Sequence, residues 1–415
     1  MLKKISVKRL KVGLHIYLKD IPWFKHPFFR SNFKIKSNNE IYDIQGIGCE
    51  YVYYDATKSS VEPLRQDSPA KAPSNSSVKS TEIKKERSVA LRKRKEAFIK
   101  TEKKFIASAE KADQIMQGIL KGQVSFCDEA EQMANEFADF FLSDAETTLN
   151  LINLSSSDEA ALYYHSLNVA ILACMLGSEL GVNAADMRNL SLGALMHDIG
   201  KSKIPKKILY KSNAMTKPEL EMIKMHTFYG VEILSAVKDV HRDVMKAVYH
   251  HHVVNGKGSY PTSVDYETKS LIAKVVTVVN VYDNLINDRS VDKSLTPHKA
   301  LAYMYKVYSE KLDSNVLGHF IRMLGVYPPG SICELDSGEI AMVVSIGENP
   351  LLPEVVLCDL NVPKNEAMII KLGTDIDSKV EKVLAPTDLT SDQVKYLSPK
   401  TKIGYYAEVK DKTKE

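Results

Sequence analysis

Over roughly the first sixty residues, apolar and polar positions alternate at the two-residue period of half-buried strands. Ile5, Val7 and Leu10 start the pattern, and Leu14-His15-Ile16-Tyr17-Leu18, Phe33-Lys34-Ile35 and Tyr51-Val52-Tyr53-Tyr54 continue it, with Gly13, Gly46 and Gly48 as punctuation. A small β-rich domain is predicted for 1–60. Residues 61–82 differ: prolines at 63, 69 and 73 stand among many Ser, Lys and Ala. Such a segment has too little apolar surface to order itself, and a flexible linker is expected.

The period then becomes helical. Leu91, Phe98, Phe105, Ile115 and Ile119 recur at near-heptad spacing, and Met133, Phe137, Phe140, Phe141 and Leu149 mark a second run beyond Gly122. Segment 83–155 suits either a helical hairpin or a dimerising coiled coil, and a homodimer is expected under the second arrangement. Residues 156–330 are helix-rich. Helices are predicted over 160–181, 190–196, 217–236, 239–250, 271–285 and 298–309, the last after a capping Thr296-Pro297. Strands return over 331–335, 339–346 and 353–360, the first two joined by the turn Asp336-Ser337-Gly338. A β-rich extension is therefore expected over 331–390 and a polar tail over 391–415. The fold class is mainly α, with β-rich pieces at both ends.

Composition narrows the compartment and the partners. A chain of 415 residues is long enough for two or three folding units. Its five cysteines are scattered without a CxxC pair, which excludes a disulfide framework or zinc ribbon and fits a reducing compartment. Five basic residues among the first eleven are followed by no long apolar run, so no signal peptide is expected. No stretch approaches the ~20 apolar residues of a membrane span. A cytoplasmic protein without a membrane partner is expected. Net charge is +4, and the basic stretch from Lys84 to Lys104 reads as a solvated helix face, so no nucleic-acid polymer is expected as partner.

The histidines carry the chemistry. Seven of the eleven lie between 165 and 252. His165, His197, His226 and His250-His251-His252 fall on or at the ends of four helices whose apolar faces must pack together, so the imidazoles can converge. Neutral imidazole and carboxylate are good ligands for Fe, Mn, Zn or Ni, and a carboxylate can bridge two ions. Asp198, next to His197, is the natural bridge. A lone histidine or a His-Asp pair is weak evidence, whereas the order His165, His197-Asp198-Ile199-Gly200-Lys201, His226…Gly230, His250-His251 is specific.

That order resembles the HD-GYP domains, a branch of the HD phosphohydrolases, over about 157–330. The resemblance is carried by His197 to Lys201, by Ile204-Pro205 to Leu209 and by Met225-His226-Thr227-Phe228-Tyr229-Gly230. His250-His251, Asn255 to Pro261 and Asp288-Arg289 extend it, and the flanks also suit, including Gly325-Val326-Tyr327-Pro328-Pro329-Gly330. It implies an HD-type helical bundle and a metal-dependent phosphodiesterase that hydrolyses cyclic di-GMP to pGpG or GMP through a metal-activated water. It implies two divalent ions, iron or manganese. His165, His197, Asp198 and Asn280 would hold one, and Asp198, His226, His250 and His251 the other. Asp198 and Lys201 would be catalytic, while Lys201, Tyr260, Pro261 and Arg289 would contact substrate.

Four positions depart from the family pattern. Ala161 stands where three-metal members carry Glu, which is why two ions are expected. Asn280, in Val278-Val279-Asn280-Val281-Tyr282-Asp283, replaces a ligand Asp and brings no negative charge, leaving Asp283 as a partner behind the ligands. His252 stands in place of Glu. Ser259 interrupts Gly-Tyr-Pro, either as an insertion that keeps His250-His251 as the pair, the reading preferred here, or through a one-residue shift that makes the pair His251-His252. Asn280 and Ser259 favour an alternative: a weakly active or inactive cyclic di-GMP receptor that signals through its other domains.

Overall fold

The structure, a computed structural model, describes residues 2–64 except 20, 22–25, 27 and 29. It also describes 103–121 with isolated positions between 96 and 152, and 161–397 except 212, 288–293, 348, 365 and 366. Most of the expected linker lies outside the described residues. The chain divides into two compact units: one comprises 1–96 with 332–342 and 352–397, the other 97–331 with 343–351 and the tail from 398.

The first unit begins with β1 (Leu2–Ser6), β2 (His15–Tyr17), β3 (Asn32–Lys34) and β4 (Tyr51–Asp55) in one antiparallel sheet of order β1-β4-β2-β3. Ile5, Ile16 and Val52, at alternate positions of their strands, are buried. One element departs from the strand-only expectation. α1 (Asn38–Gly46) is a helix because Ser37 and Glu40 form a reciprocal capping box, after which Ile41 and Ile44 fall on one buried face.

The second unit is helical. A helix over 103–120, α2, buries Phe105, Ala109, Ala112, Ile115, Met116 and Ile119 in the core it shares with α3 (Ala161–Glu179), where the Phe105 and Tyr164 rings lie 5.9 Å apart. This near-heptad stripe is thus covered by its own unit. Burying each large side chain there contributes about 1.5–3 kcal/mol. Positions 167–176 of α3 are all buried, which explains why the helix is apolar all round. α3 packs on α4 (Ala184–Met196), which ends in a 3₁₀ turn, Ile199–Lys203.

The stretch 217–236, expected as one helix, is two: α5 (Lys217–Lys224) and α6 (His226–Ser235), with Met225 at the joint. There the His226 Nδ1–H donates to the Ile223 carbonyl at 2.6 Å. α7 (Arg242–His250) and α8 (Leu271–Ile286) complete the core around α3 and α4. α9 (Pro297–Tyr303) and α10 (Ser314–Leu324) follow.

After α10 come β5 (Ile332–Leu335), β6 (Ile340–Ser345), β7 (Glu354–Leu357), β8 (Ile369–Lys371) and β9 (Val380–Leu384), in the order β8-β7-β6-β5-β9. The two β-rich ends, read from sequence as separate pieces, are tied together within the first unit. Arg30 pairs with Glu339 at 2.5 Å and the Ser31 amide donates to Asp359 at 3.1 Å. The expected tail from 391 is corrected at its start: Ser391–Leu397 is a helix that buries Tyr396 and Leu397. The rest of the tail, from 398, lies outside the described residues.

Candidate metal centre

Three of the histidines share a local device. His197 caps the C-terminus of α4, His226 stands just past α5 and His251 caps α7. The last carbonyls of a helix lack intrahelical partners. Each of these imidazoles supplies one at the carbonyl three residues back: His197 Nδ1 to Ala194 at 2.6 Å, His226 Nδ1 to Ile223 at 2.6 Å, and His251 Nδ1 to Val248 at 2.9 Å. A carbonyl only accepts, so each Nδ1 carries the proton and each Nε2 keeps a lone pair. His165, on α3, reaches the same state differently. Its Nδ1–H donates to Asp283 Oδ2 on α8 at 2.6 Å, while Asn168 and Asn287 donate to Asp283 Oδ1 at 3.0 and 2.9 Å.

The four Nε2 atoms point inward. His165 and His197 bring theirs within 3.2 Å, and His226 and His251 within 3.1 Å. Asp198 lies between the pairs, 2 % exposed. Its Oδ2 is 3.5 Å from His165 Nε2 and 3.4 Å from His197 Nε2; its Oδ1 is 3.3 Å from His226 Nε2 and 3.7 Å from His251 Nε2. Oδ1 is buried with no hydrogen-bond donor among the described residues. A buried anionic oxygen facing two imidazole lone pairs is unstable unless a cation lies between them. That cation is not a proton at neutral pH. Burial pulls the His226 imidazole down to about 4 even though Asp198 opposes it. Burial, with His252 and His197 nearby, pulls His251 well below its ordinary range. Burial would raise the Asp198 carboxyl, but the Lys201 ammonium outweighs it and holds the group well below the usual range. Neutral imidazoles around an ionised carboxylate are the donor set of a transition-metal site.

Two ligand groups result: His165, His197 and Asp198, and Asp198, His226, His251 and His252. The preferred sequence register is corrected here by one residue. His250 is the last residue of α7, and its Nδ1 is buried without a hydrogen-bond partner among the described residues. The C-cap position belongs to His251, and His252 follows it into the cluster. The Tyr260 ring stacks on His252 at 4.4 Å and 19°, directly after Ser259 and before Pro261. The sequence signal that finds the pair is the helix end: a histidine just past the last helical residue can reach the carbonyl three back.

The other expected residues fall as follows. Lys201, in the 3₁₀ turn, pairs with Asp198 Oδ2. Asn280 is buried on α8, and its Oδ1 accepts from Asn284 at 2.7 Å. Tyr260 borders His252 and Pro261 follows it in the chain, while Arg289 lies outside the described residues. Two glycines set the spacing. A Cβ on Gly200 would overlap the His226 carbonyl oxygen and lie 2.5 Å from the Gly230 nitrogen; one on Gly230 would lie 2.6 Å from Val248 Cγ1. The His197-Asp198 turn can approach the His226 backbone only because Gly200 lacks a side chain, and Gly230 leaves room for Val248.

Residues 149–316 match the family model described as HD domain, and residues 2–130 match a domain of unknown function, DUF3391. This chain carries an HD domain. Its similarity to curated proteins extends beyond that domain. It is 28% identical over 368 residues to a cyclic di-GMP phosphodiesterase of Pseudomonas aeruginosa, covering 86% of this chain and 84% of the relative. It is 30% identical to cyclic di-GMP phosphodiesterase PdeB of Borreliella burgdorferi, covering 56% and 62%. A 3'3'-cGAMP-specific phosphodiesterase of Vibrio cholerae is 27% identical, covering 40% and 35%. The HD domain of this chain thus holds a His/Asp cluster suited to metal. No helix among the described residues is long and apolar enough to cross a membrane.

Proposed function

We propose that this chain is a metal-dependent phosphodiesterase that hydrolyses cyclic di-GMP to pGpG or GMP. The observation that carries the reading is Asp198: each of its carboxylate oxygens faces a different set of imidazole lone pairs, and one of them has no donor. Two divalent ions, iron or manganese, would be held by His165, His197, Asp198 and Asn280 and by Asp198, His226, His251 and His252. When bound, such ions supply Lewis acidity toward a phosphoryl oxygen and an activated water.

The remaining work falls to this chain's own groups. Asp283 fixes the His165 tautomer, and three helix-end carbonyls fix those of His197, His226 and His251. Lys201 keeps Asp198 ionised and, with substrate bound, would meet a non-bridging phosphate oxygen. The Tyr260 ring covers one side of His252, and Lys224 lies 5.9 Å over the same ring.

One observation favours a second reading, a weakly active receptor: Asn280 brings no charge, and its oxygen is already engaged by Asn284. The test is metal analysis of protein purified without oxygen, followed by turnover of cyclic di-GMP and 3'3'-cGAMP on the same sample. Two equivalents of metal and release of pGpG or GMP from cyclic di-GMP are expected. Loaded protein that binds cyclic di-GMP without hydrolysing it selects the receptor; absence of metal in every preparation overturns both readings. Preferential turnover of 3'3'-cGAMP would move the substrate assignment alone.

A further inference from the structure

The turn after α7 carries three consecutive histidines, and its conformation decides which of them face Asp198. Its backbone is tethered at successive points: the Val253 amide donates to the His250 carbonyl at 2.9 Å, the Val254 amide to Ser259 Oγ at 3.2 Å, and the Tyr260 amide to the His252 carbonyl at 3.3 Å. Asn255, just past the turn, donates to the Lys311 carbonyl at 2.9 Å, and a further tether comes from Lys269. Lys269, just before α8, is 5 % exposed, and its Nζ donates to the Val253 carbonyl at 2.7 Å and to Thr277 Oγ1 on α8. Thr277 in turn donates to the Ala273 carbonyl at 2.8 Å, so its lone pair is what meets the ammonium.

Among the described residues no carboxylate lies within ion-pair distance of Lys269; Asp313, which acts on it from farther away, is paired with Lys274 at 3.0 Å. A buried ammonium without a counter-ion is costly, and an apolar side chain of equal length would fill the same space at lower cost. What the Nζ group adds, as ammonium or as amine, is two hydrogen bonds at fixed points. One holds the residue after His252; the other holds the helix that also carries Asp283, the partner of His165.

We propose that Lys269 is a positioning residue: it holds the 250–254 turn so that His251 and His252, and not His250, face Asp198. The inference rests on the reading of the cluster as a metal centre. The test is titration of Co(II) into the full chain after chelator treatment, followed by its visible ligand-field bands. Parent protein should bind Co(II) and keep its spectrum in His250→Ala. Folded Lys269→Met should lose affinity by about 10–100-fold, as for other groups that orient ligands from behind. Its band shape should change, and His250→Ala should now alter the spectrum further. Loss of packing alone would not make His250 matter.

Lys269→Met with parental affinity and bands overturns the proposal. If that variant does not fold, Thr277→Val decides. It removes one acceptor and leaves the ammonium, so weakened Co(II) binding with altered bands supports the proposal, and parental behaviour overturns it. A parent that takes up no Co(II) overturns the metal-centre reading instead.

Discussion

At the scale of single residues, the candidate centre depends on which nitrogen of each imidazole carries its proton. His197, His226 and His251 each spend Nδ1–H on a helix-end carbonyl, and His250 does not. His252→Ala should therefore lower the metal content of purified protein, whereas His250→Ala should leave it unchanged; elemental analysis of the two decides between the registers. Asn280 is the weak point in charge. Its Oδ1 accepts from Asn284, a bond that a carboxylate can also accept, so Asn280→Asp should be tolerated. It should slow metal loss to a chelator and raise turnover, and unchanged values for both would remove Asn280 from the first ion's ligands.

Lys269 gives a pH signature. Burial, with Lys274 nearby, pulls its ammonium from 10.5 down to about 7. Between those values the unfolded chain holds a proton that the folded chain lacks. Its contribution to unfolding free energy therefore rises as pH increases from about 7 to 10.5, and flattens beyond. Denaturant melts of parent and Lys269→Met across that range should diverge in this direction, which isolates Lys269 from the cysteines and tyrosines that titrate alongside it.

At the scale of elements, the centre is a set of helix ends brought together by close backbone approach. Gly200 lets the 3₁₀ turn that follows His197-Asp198 lie against the His226 end of α6, and Gly230 leaves room for Val248 of α7. Gly200→Ala cannot be accommodated by moving a side chain, because the atoms it meets are backbone. It should push α6 from the turn, open the Asp198–His226 distance and abolish metal retention. An alanine there costs only backbone shift, so far-UV circular dichroism should remain helical while metal content falls; retained metal would show that the approach is not needed. The two-helix reading of 217–235 belongs to this scale as well. Apolar periodicity runs through Met225 without a break, and the joint is decided by the His226 imidazole taking the Ile223 carbonyl.

At the scale of the whole molecule, the two units should respond differently to metal. The ligands all lie in the helical unit, and a ligand that binds only the folded state stabilises it by RT ln(1 + [L]/Kd), about 2.7 kcal/mol at a hundredfold excess over Kd. Calorimetry of the full chain should therefore show metal raising the transition of the helical unit, and chelator reversing it. A shift confined to the β-rich unit would place the metal elsewhere.

Much of this was legible in the sequence because it is local or ordered. Helical and strand periods are properties of neighbouring residues, and the order of His165, His197-Asp198 and His226 is specific enough to name a chemistry. The identity of the histidine pair was not legible, because a one-residue choice within 250–252 depends on where α7 stops and which carbonyl is left unpaired. α1 was legible in principle, since Ser37 and Glu40 stand at capping-box spacing before it, a signal that the strand alternation around it masks. The sequence by itself determined the helical and β-rich segments, the presence of the histidines and Asp198, and the loss of charge at Asn280. Only the tertiary structure decided that the two β-rich ends share one unit, that the 103–120 stripe is covered within its own unit, and that His251 and His252 face Asp198. Each of these depends on contacts between residues far apart in the chain, and such contacts leave no period in the sequence.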